Sequence, residues 1–206
     1  FQNLQTEDWK VGYYNKWSGG IQHQPTPKII VETSYLGHTA PNLYTVVREN
    51  RPAPGMGPVQ ARRPYPLLSQ FSQFVPINTS TYHGWLNQVR VGDGKSLMLQ
   101  ANYTFSKTLD NQSAFGGAGD GKAGLSALGN IPNLGIQAEK GRASFDARHR
   151  FTMTLLYPTP KLQNRNALVR HLLGGWQLSG LLTLQTGFPF TVLLADDRAN
   201  IGDTAG

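Results

Sequence analysis

The feature that most limits the fold of this chain is a two-residue alternation of apolar and polar side chains, which recurs in six long segments. In residues 97–106, for example, apolar residues occupy the odd positions, and Ser, Gln, Asn and Thr occupy most of the even ones. Because successive side chains of a strand point to opposite faces, this pattern predicts strands with one apolar and one polar face. The six predicted strands lie near residues 14–24, 28–37, 82–91, 96–106, 149–157 and 176–188.

The composition agrees with an all-β chain. Of the 206 residues, 23 are Gly and 13 are Pro, and only 15% are charged. This combination argues against a helical bundle, and an aromatic content of 10% argues against a disordered linker. The chain has no cysteine, which excludes disulfide scaffolds, thiolate metal sites and cysteine nucleophiles.

The connections between the predicted strands alternate between short and long. Tight turns are expected at 25–28 and 92–95, whereas long external loops are expected at 37–82, at 107–148 and from 189 onward. Short turns on one side and long loops on the other are typical of outer-membrane β-barrels. The predicted strands also run to about ten residues, which is the length that a tilted strand needs to cross a bilayer.

In such a barrel the apolar face of each strand is expected to contact outer-membrane lipid. Aromatic residues cluster toward the strand ends, where Tyr and Trp favour the two membrane interfaces. The residues expected to face lipid are Trp17, Ile21, Ile29, Val31, Tyr35, Trp85, Val89, Leu97, Leu99, Tyr103, Phe105, Phe151, Met153, Leu155, Tyr157, Trp176, Leu178, Leu182 and Leu184. His23 and Asn87 are polar exceptions on the same predicted face.

Six strands are too few to close a known outer-membrane barrel, whose smallest single-chain form has eight. An open sheet in lipid would leave its edge groups without hydrogen bonds. The chain is therefore expected to be part of a larger barrel or one protomer of an assembled one. Its first and last residues resemble interior sequence, which favours the first possibility.

Several motifs, taken in order, resemble the barrel of Oar-like TonB-dependent receptors. These outer-membrane receptors often carry an N-terminal carboxypeptidase-regulatory-like domain. The matching segments are 14–22, 31–38, 62–66, 102–111, 145–151, 174–180 and 185–192. The resemblance implies that residues 1–206 are a partial barrel domain of an all-β, antiparallel, up-and-down barrel of 22 strands in the outer membrane of a Gram-negative-type bacterium.

The same resemblance implies energised uptake of an extracellular ligand, with the chain forming barrel wall and external ligand-capturing loops. The TonB complex would act through a plug domain and a TonB-binding segment, neither of which is recognised in this sequence. Arg62, Arg63 and Tyr65 are the candidate ligand-binding residues, because Arg offers a planar fork to carboxylate or phosphate and Tyr offers a stacking face. The alternative is that they pack the loop against a neighbouring loop.

No catalytic residue, metal site or cofactor is expected. The Gly-rich segment 116–122 lacks the Ser or Thr that a phosphate-binding loop needs after its Lys, since Ala123 follows. The five histidines show no metal-ligand spacing. An enzyme is therefore not predicted.

The net charge of +7 comes from scattered residues, so nucleic acid is not the expected partner. Two alternatives to the receptor hypothesis remain open. One is a passive porin, and the other is a soluble basic β-protein that binds nucleic acid or glycan.

Overall fold

A computed structural model of the chain describes residues 3–5, 7, 9–92, 97–113, 140–160, 166, 168, 172, 174–190 and 196–202. These residues form one β-sheet and a short 3₁₀ turn at Gln60–Arg62. No helix among them is long and apolar enough to cross a membrane. The strands are β1 (Asn3–Gln5), β2 (Asn15–Thr26), β3 (Ile29–Glu49), β4 (Phe71–Val91), β5 (Met98–Asp110), β6 (Gly141–Arg142), β7 (His149–Pro158) and β8 (Gln177–Gln185).

The sheet has the predicted up-and-down topology. Its strand order is β2-β3-β4-β5-β7-β8, and each neighbouring pair on this path is antiparallel. The short β1 pairs in parallel with β4, and β6 pairs with the end of β5. The all-β antiparallel prediction is confirmed, and β2 and β8 are the edges of this open sheet.

The strand register places the predicted apolar positions on one continuous face. Directly paired residues share a face of the sheet. One row across the six main strands is formed by Ile21, Thr33, Asn87, Tyr103, Phe151 and Leu184. The rows on either side repeat the arrangement, with Tyr35 beside Trp85 and Leu99 beside Leu155. All of the residues expected to face lipid belong to this apolar face, except that Leu97 and Trp176 lie just before β5 and β8.

The opposite, polar face carries side-chain hydrogen bonds that cross three strands. The Gln88 amide donates to Asn102 Oδ1 at 2.6 Å, and the Asn102 amide donates to Thr152 Oγ1 at 3.2 Å. These links join β4, β5 and β7. The polar face is therefore a connected hydrogen-bonding surface.

Asn87, the polar exception on the apolar face, lies within a local hydrogen-bond chain. The Trp85 indole N–H donates to Thr33 Oγ1 at 2.7 Å, and the Thr33 hydroxyl donates to Asn87 Oδ1 at 3.0 Å. Both polar side chains thus have a partner on the sheet itself, which lowers the cost of placing them in an apolar setting.

The expectation of a long loop over 37–82 is wrong. β3 and β4 continue to pair out to Glu49 and Phe71, so the connection covers only 50–70. The pairing shifts register between Ala40 and Thr45, and Asn42 has a φ of 58°. Each shift reverses the side-chain alternation, so a period-two pattern cannot be followed through it although the pairing continues.

The ends of two other strands differ from the predicted ends by a few residues. β5 extends to Asp110, inside the predicted 107–148 loop, and β8 ends at Gln185 rather than 188. A two-residue turn, Pro27-Lys28, joins β2 to β3, which confirms the first tight turn. Residues 93–96 of the second turn and 114–139 of the long loop lie outside the described residues.

The Trp17 side chain covers Gly37 on the apolar face. A Cβ added to Gly37 would lie 2.4 Å from the Trp17 indole, whereas a Cβ added to Gly19 would have no atom within 4 Å. Gly37→Ala in the full-length protein should therefore displace the indole and lower the free energy of unfolding by about 1–3 kcal/mol. Gly19→Ala is the matched control and should cause no loss. Urea unfolding in detergent micelles measures both, and equal effects would contradict the predicted contact.

Candidate functional site

The buried side chains of the described residues all lie beyond one end of the apolar face, in a region we call the outer cap. The outer cap comprises residues 40–81, 107–113, 140–148 and 196–202. Most of its buried residues are polar. They are Thr45, Asn50, Asn78, Thr108, Asp110, Asn111, Gln112 and Asp146. This region is therefore held together mainly by hydrogen bonds.

Asp146 is a central residue of the outer cap. Its side chain is buried, Oδ1 accepts the Thr108 backbone N–H at 2.8 Å, and Oδ2 accepts Arg142 Nε at 2.8 Å. Arg148 adds a second cation at 3.8 Å. Asp146 thereby fixes the segment before β7 to the end of β5, and it forms an ion pair with Arg142.

The residues that follow β5 join the same network. The Asn78 amide donates to the Gln112 carbonyl at 3.1 Å, and Thr45 donates its hydroxyl to the Gln112 side chain. Asn111 Oδ1 accepts the Thr79 hydroxyl at 2.6 Å. The end of the 102–111 motif thus ties β5 to the extended β3–β4 hairpin.

Asn50 organises the tip of that hairpin. Its amide donates to the carbonyl oxygens of Tyr65, Leu68 and Ser69 at 3.1, 2.9 and 3.1 Å. Its Oδ1 accepts the Tyr65 N–H at 2.8 Å. The connection between β3 and β4 is therefore a folded loop with its own hydrogen-bonded framework.

The three candidate ligand-binding residues lie together in this loop, but their side chains differ in setting. Arg62 donates to the carbonyl oxygens of Ala53 and Asn200, each at 2.5 Å, and so connects the loop to the segment after β8. Arg63 donates to the Asn50 carbonyl at 2.5 Å. The Tyr65 side chain is 62% exposed. Of the three, Tyr65 presents the open surface and the arginines contact loop backbone.

Sequence analysis missed a ring cluster at the cap end of the polar face, which consists of Tyr14, His38 and Tyr82. The ring centroid of His38 lies 4.8 Å from that of Tyr14, whose ring is tilted against it, and 5.3 Å from that of Tyr82, whose ring is stacked on it. His38 pairs with Lys16 and Tyr82 in the register, one residue beyond the predicted span at 28–37. Burial, followed by nearby Lys16 and His83, lowers the pKa of His38. The sequence does carry a signal for this cluster, because Tyr14, His38 and Tyr82 each lie at or next to the cap end of a predicted strand.

The polar face also carries an apolar patch at its other end, near the short turns. A pocket of about 680 Å³ there is lined by the apolar residues Ile30, Met98, Leu156 and Leu181 and by the polar residues Lys28, Arg90, Gln100, Thr154 and Ser179. Met98 and Leu181 are 47% and 77% exposed. We call these four apolar residues the luminal patch. Ile30 and Leu156 are half-buried, whereas Met98 and Leu181 are exposed on the open sheet.

No group of three or more His, Asp or Glu side chains within the described ranges could hold a metal ion. The histidines of the described residues lie on both faces of the sheet, and His23 is on the apolar face. His83 and His149 are on the apolar face, and His38 is on the polar face.

Comparison with known proteins gives one match. A family model described as an outer membrane beta barrel domain matches residues 2–206. No curated protein and no solved structure matches the chain.

Asp146→Ala in the full-length protein should loosen the outer cap without preventing assembly of the strands. The change leaves the Thr108 N–H buried without its acceptor, which costs about 1–3 kcal/mol, and it also frees two guanidinium groups. Limited proteolysis with proteinase K should therefore cut the 140–148 segment faster than in the parent protein.

The exposed Asp196 offers a matched control, since Asp196→Ala removes a carboxylate from the same region. Its cleavage rate should equal that of the parent. If Asp146→Ala is cut no faster than Asp196→Ala, Asp146 does not hold the cap.

Proposed function

The chain belongs to the outer membrane beta-barrel domain family, and from this premise we propose that it forms part of the wall and the outer cap of a TonB-dependent receptor. Family membership places it in the outer membrane of Gram-negative bacteria and argues against the soluble basic β-protein. The proposed role is to capture an extracellular ligand at the cap and to form the passage for its uptake.

The two faces of the sheet support the proposed orientation. A barrel strand in lipid turns apolar side chains outward and polar ones toward its interior. The apolar face would therefore contact outer-membrane lipid, and the polar face, with its Gln88–Asn102–Thr152 hydrogen bonds, would line the interior. The outer cap then lies outside the cell, because long connections of such barrels are extracellular.

The luminal patch is the observation that favours a receptor over a passive porin. Interior walls of water-filled porins are polar. Here Met98 pairs directly with Leu156, and Leu181 lies beside them on β8, so these three form an apolar surface within the polar interior face. Ile30 lines the same pocket but is separated from them by Arg90 and Gln100. Burying that surface against a domain inside the barrel would be favourable at about 25 cal/mol per Å². A plugged barrel provides such a domain, and a porin does not.

In this proposal the ligand first contacts exposed side chains of the cap. Tyr65 presents its ring on a loop that Arg62 and Arg63 hold in shape, and the ring cluster of Tyr14, His38 and Tyr82 borders the entrance on the polar face. The TonB complex would energise uptake through other parts of the full-length protein. We propose no catalytic step and no cofactor.

Cysteine labelling tests the orientation of the strands. Phe151 pairs with Leu184 on the apolar face, and their neighbours Arg150 and Gln185 pair on the polar face. A water-soluble maleimide should label cysteines placed at Arg150 and Gln185 in the full-length protein and spare those at Phe151 and Leu184. Leu182→Arg should also cost about 2–4 kcal/mol near the midplane, and Gln185→Arg far less.

Phe151 lies beside Leu184 and Arg150 lies beside Gln185, so the four labelled positions lie at nearly the same depth in the membrane. The reverse labelling pattern would show that the faces are exchanged. Equal labelling of all four would contradict a membrane-embedded sheet.

Planar-bilayer recordings distinguish a receptor from a porin without knowledge of the ligand. The full-length protein in potassium chloride should show no steady open channel, because a domain packed on the luminal patch blocks the passage. The double variant Met98→Asp and Leu181→Asp should weaken that packing and produce more frequent openings. Gln185→Asp is the control on the same face. A large, steady conductance in the parent protein would instead establish a porin.

A further inference from the structure

Three basic side chains form a cluster at the cap end of the apolar face, and we call this cluster the basic rim. It consists of His83 on β4, Lys107 on β5 and His149 on β7. His83 pairs directly with Lys107, and His149 pairs with Phe105, two residues before Lys107. Because side chains two residues apart share a face, all three project from the apolar face on adjacent strands.

Tyrosines from neighbouring strands orient the two imidazoles. The Tyr35 hydroxyl lies 2.6 Å from His83 Nδ1, and the Tyr103 hydroxyl lies 2.8 Å from His149 Nδ1. The same Tyr–His arrangement thus occurs twice, once between β3 and β4 and once between β5 and β7. With Nδ1 occupied, Nε2 is the ring nitrogen left to bind a group from outside.

Lys107 is exposed, and no carboxylate of the described residues pairs with its ammonium group. The paired strand positions that continue the apolar face from the basic rim to the short turns contain no Asp or Glu. The acidic residue Glu32 belongs to the polar face, where it pairs with Gln22 and Gln88. The local charge at the rim is therefore positive and not neutralised within its own face.

Aromatic rings lie directly beside the basic rim, on its membrane side. Tyr35, Trp85 and Phe105 form the next row of the apolar face, and His149 continues this row, with its ring centroid 5.0 Å from that of Phe105. Rings of this kind settle at the boundary between acyl chains and headgroups. Lys107 and His83, which lie one row nearer the cap, would then be level with the headgroups, and His149 would lie at the boundary itself.

We propose that the basic rim binds the phosphate groups of phosphorylated glycolipid in the outer leaflet. Lys107 supplies the point charge, the Nε2 atoms of His83 and His149 supply flanking hydrogen bonds, and the aromatic row contacts the first part of the acyl chains. This binding depends on the proposed orientation of the apolar face toward lipid. It would anchor the barrel at the side where the outer cap enters the medium.

Native mass spectrometry of the full-length protein in detergent micelles with bisphosphorylated lipid A tests the proposal. The parent protein should retain lipid A, and Lys107→Gln should lower the bound fraction about fivefold, the effect of removing one cation from an anionic lipid surface. Lys107→Arg should restore binding because it keeps the charge. Lipid A stripped of its phosphates should bind no better to the parent than to Lys107→Gln.

Lys16 provides the matched control, because it is a lysine at a similar height on the polar face. Lys16→Gln should retain lipid A like the parent. Equal losses in Lys16→Gln and Lys107→Gln, or undiminished binding of dephosphorylated lipid A, would overturn the proposal.

Folding and orientation are checked in the same preparations. Heat-dependent mobility in gels shows that each variant is a folded barrel, and the cysteine pairs at Phe151 and Leu184 and at Arg150 and Gln185 report the faces. Labelling that exchanges the faces would refute the proposed orientation. Correct labelling with lipid binding that does not depend on Lys107 would refute only the basic rim.

Discussion

The structure depends on uninterrupted backbone pairing where the strands are expected to cross the bilayer. No water reaches backbone N–H and C=O groups in hydrocarbon, so each must be satisfied by a neighbouring strand. The register agrees with this constraint. The pairing of β3, β4, β5, β7 and β8 runs without a shift along the apolar face, from Tyr35 beside Trp85 to Leu155 beside Gly180. The shifts occur near the Pro27-Lys28 turn and in the cap at 40–45.

That constraint also explains where the compact part of the molecule lies. A single sheet exposes both faces and buries little of its own surface, so a conventional interior forms only where extra segments fold over the strands. In this chain they do so in the outer cap, and its interior is polar. Asp146, Asn50 and Gln112 each satisfy several backbone or side-chain groups. Such a network holds irregular segments in one arrangement, because each broken contact would leave a buried polar group unpaired.

The sequence was sufficient to predict the faces of the strands but not their full length. Alternation of apolar and polar residues is a direct consequence of strand geometry, so Leu99, Leu155 and Leu182 could be grouped before their register was known. The extension of β3 to Glu49 could not, since the shifts near Asn42 reverse the alternation. The hydrogen bonds of Arg62 and Arg63 to backbone carbonyls could not be predicted from the sequence either. Backbone carbonyls accept hydrogen bonds from any arginine within reach, and they leave no residue pattern to find.

The outer cap and the sheet use the same kinds of residue in different ways. Within the sheet, neighbouring residues lie on opposite faces, so Phe151 belongs to the apolar face and Arg150 to the polar face. Within the cap, fixed arginines and amides hold a loop on which Tyr65 remains exposed. A loop held in this way loses little conformational entropy when its exposed side chains meet a ligand. Hydrogen bonds that engage Arg62 and Arg63 with loop carbonyls thus favour recognition by their neighbours, even though the arginines themselves are occupied.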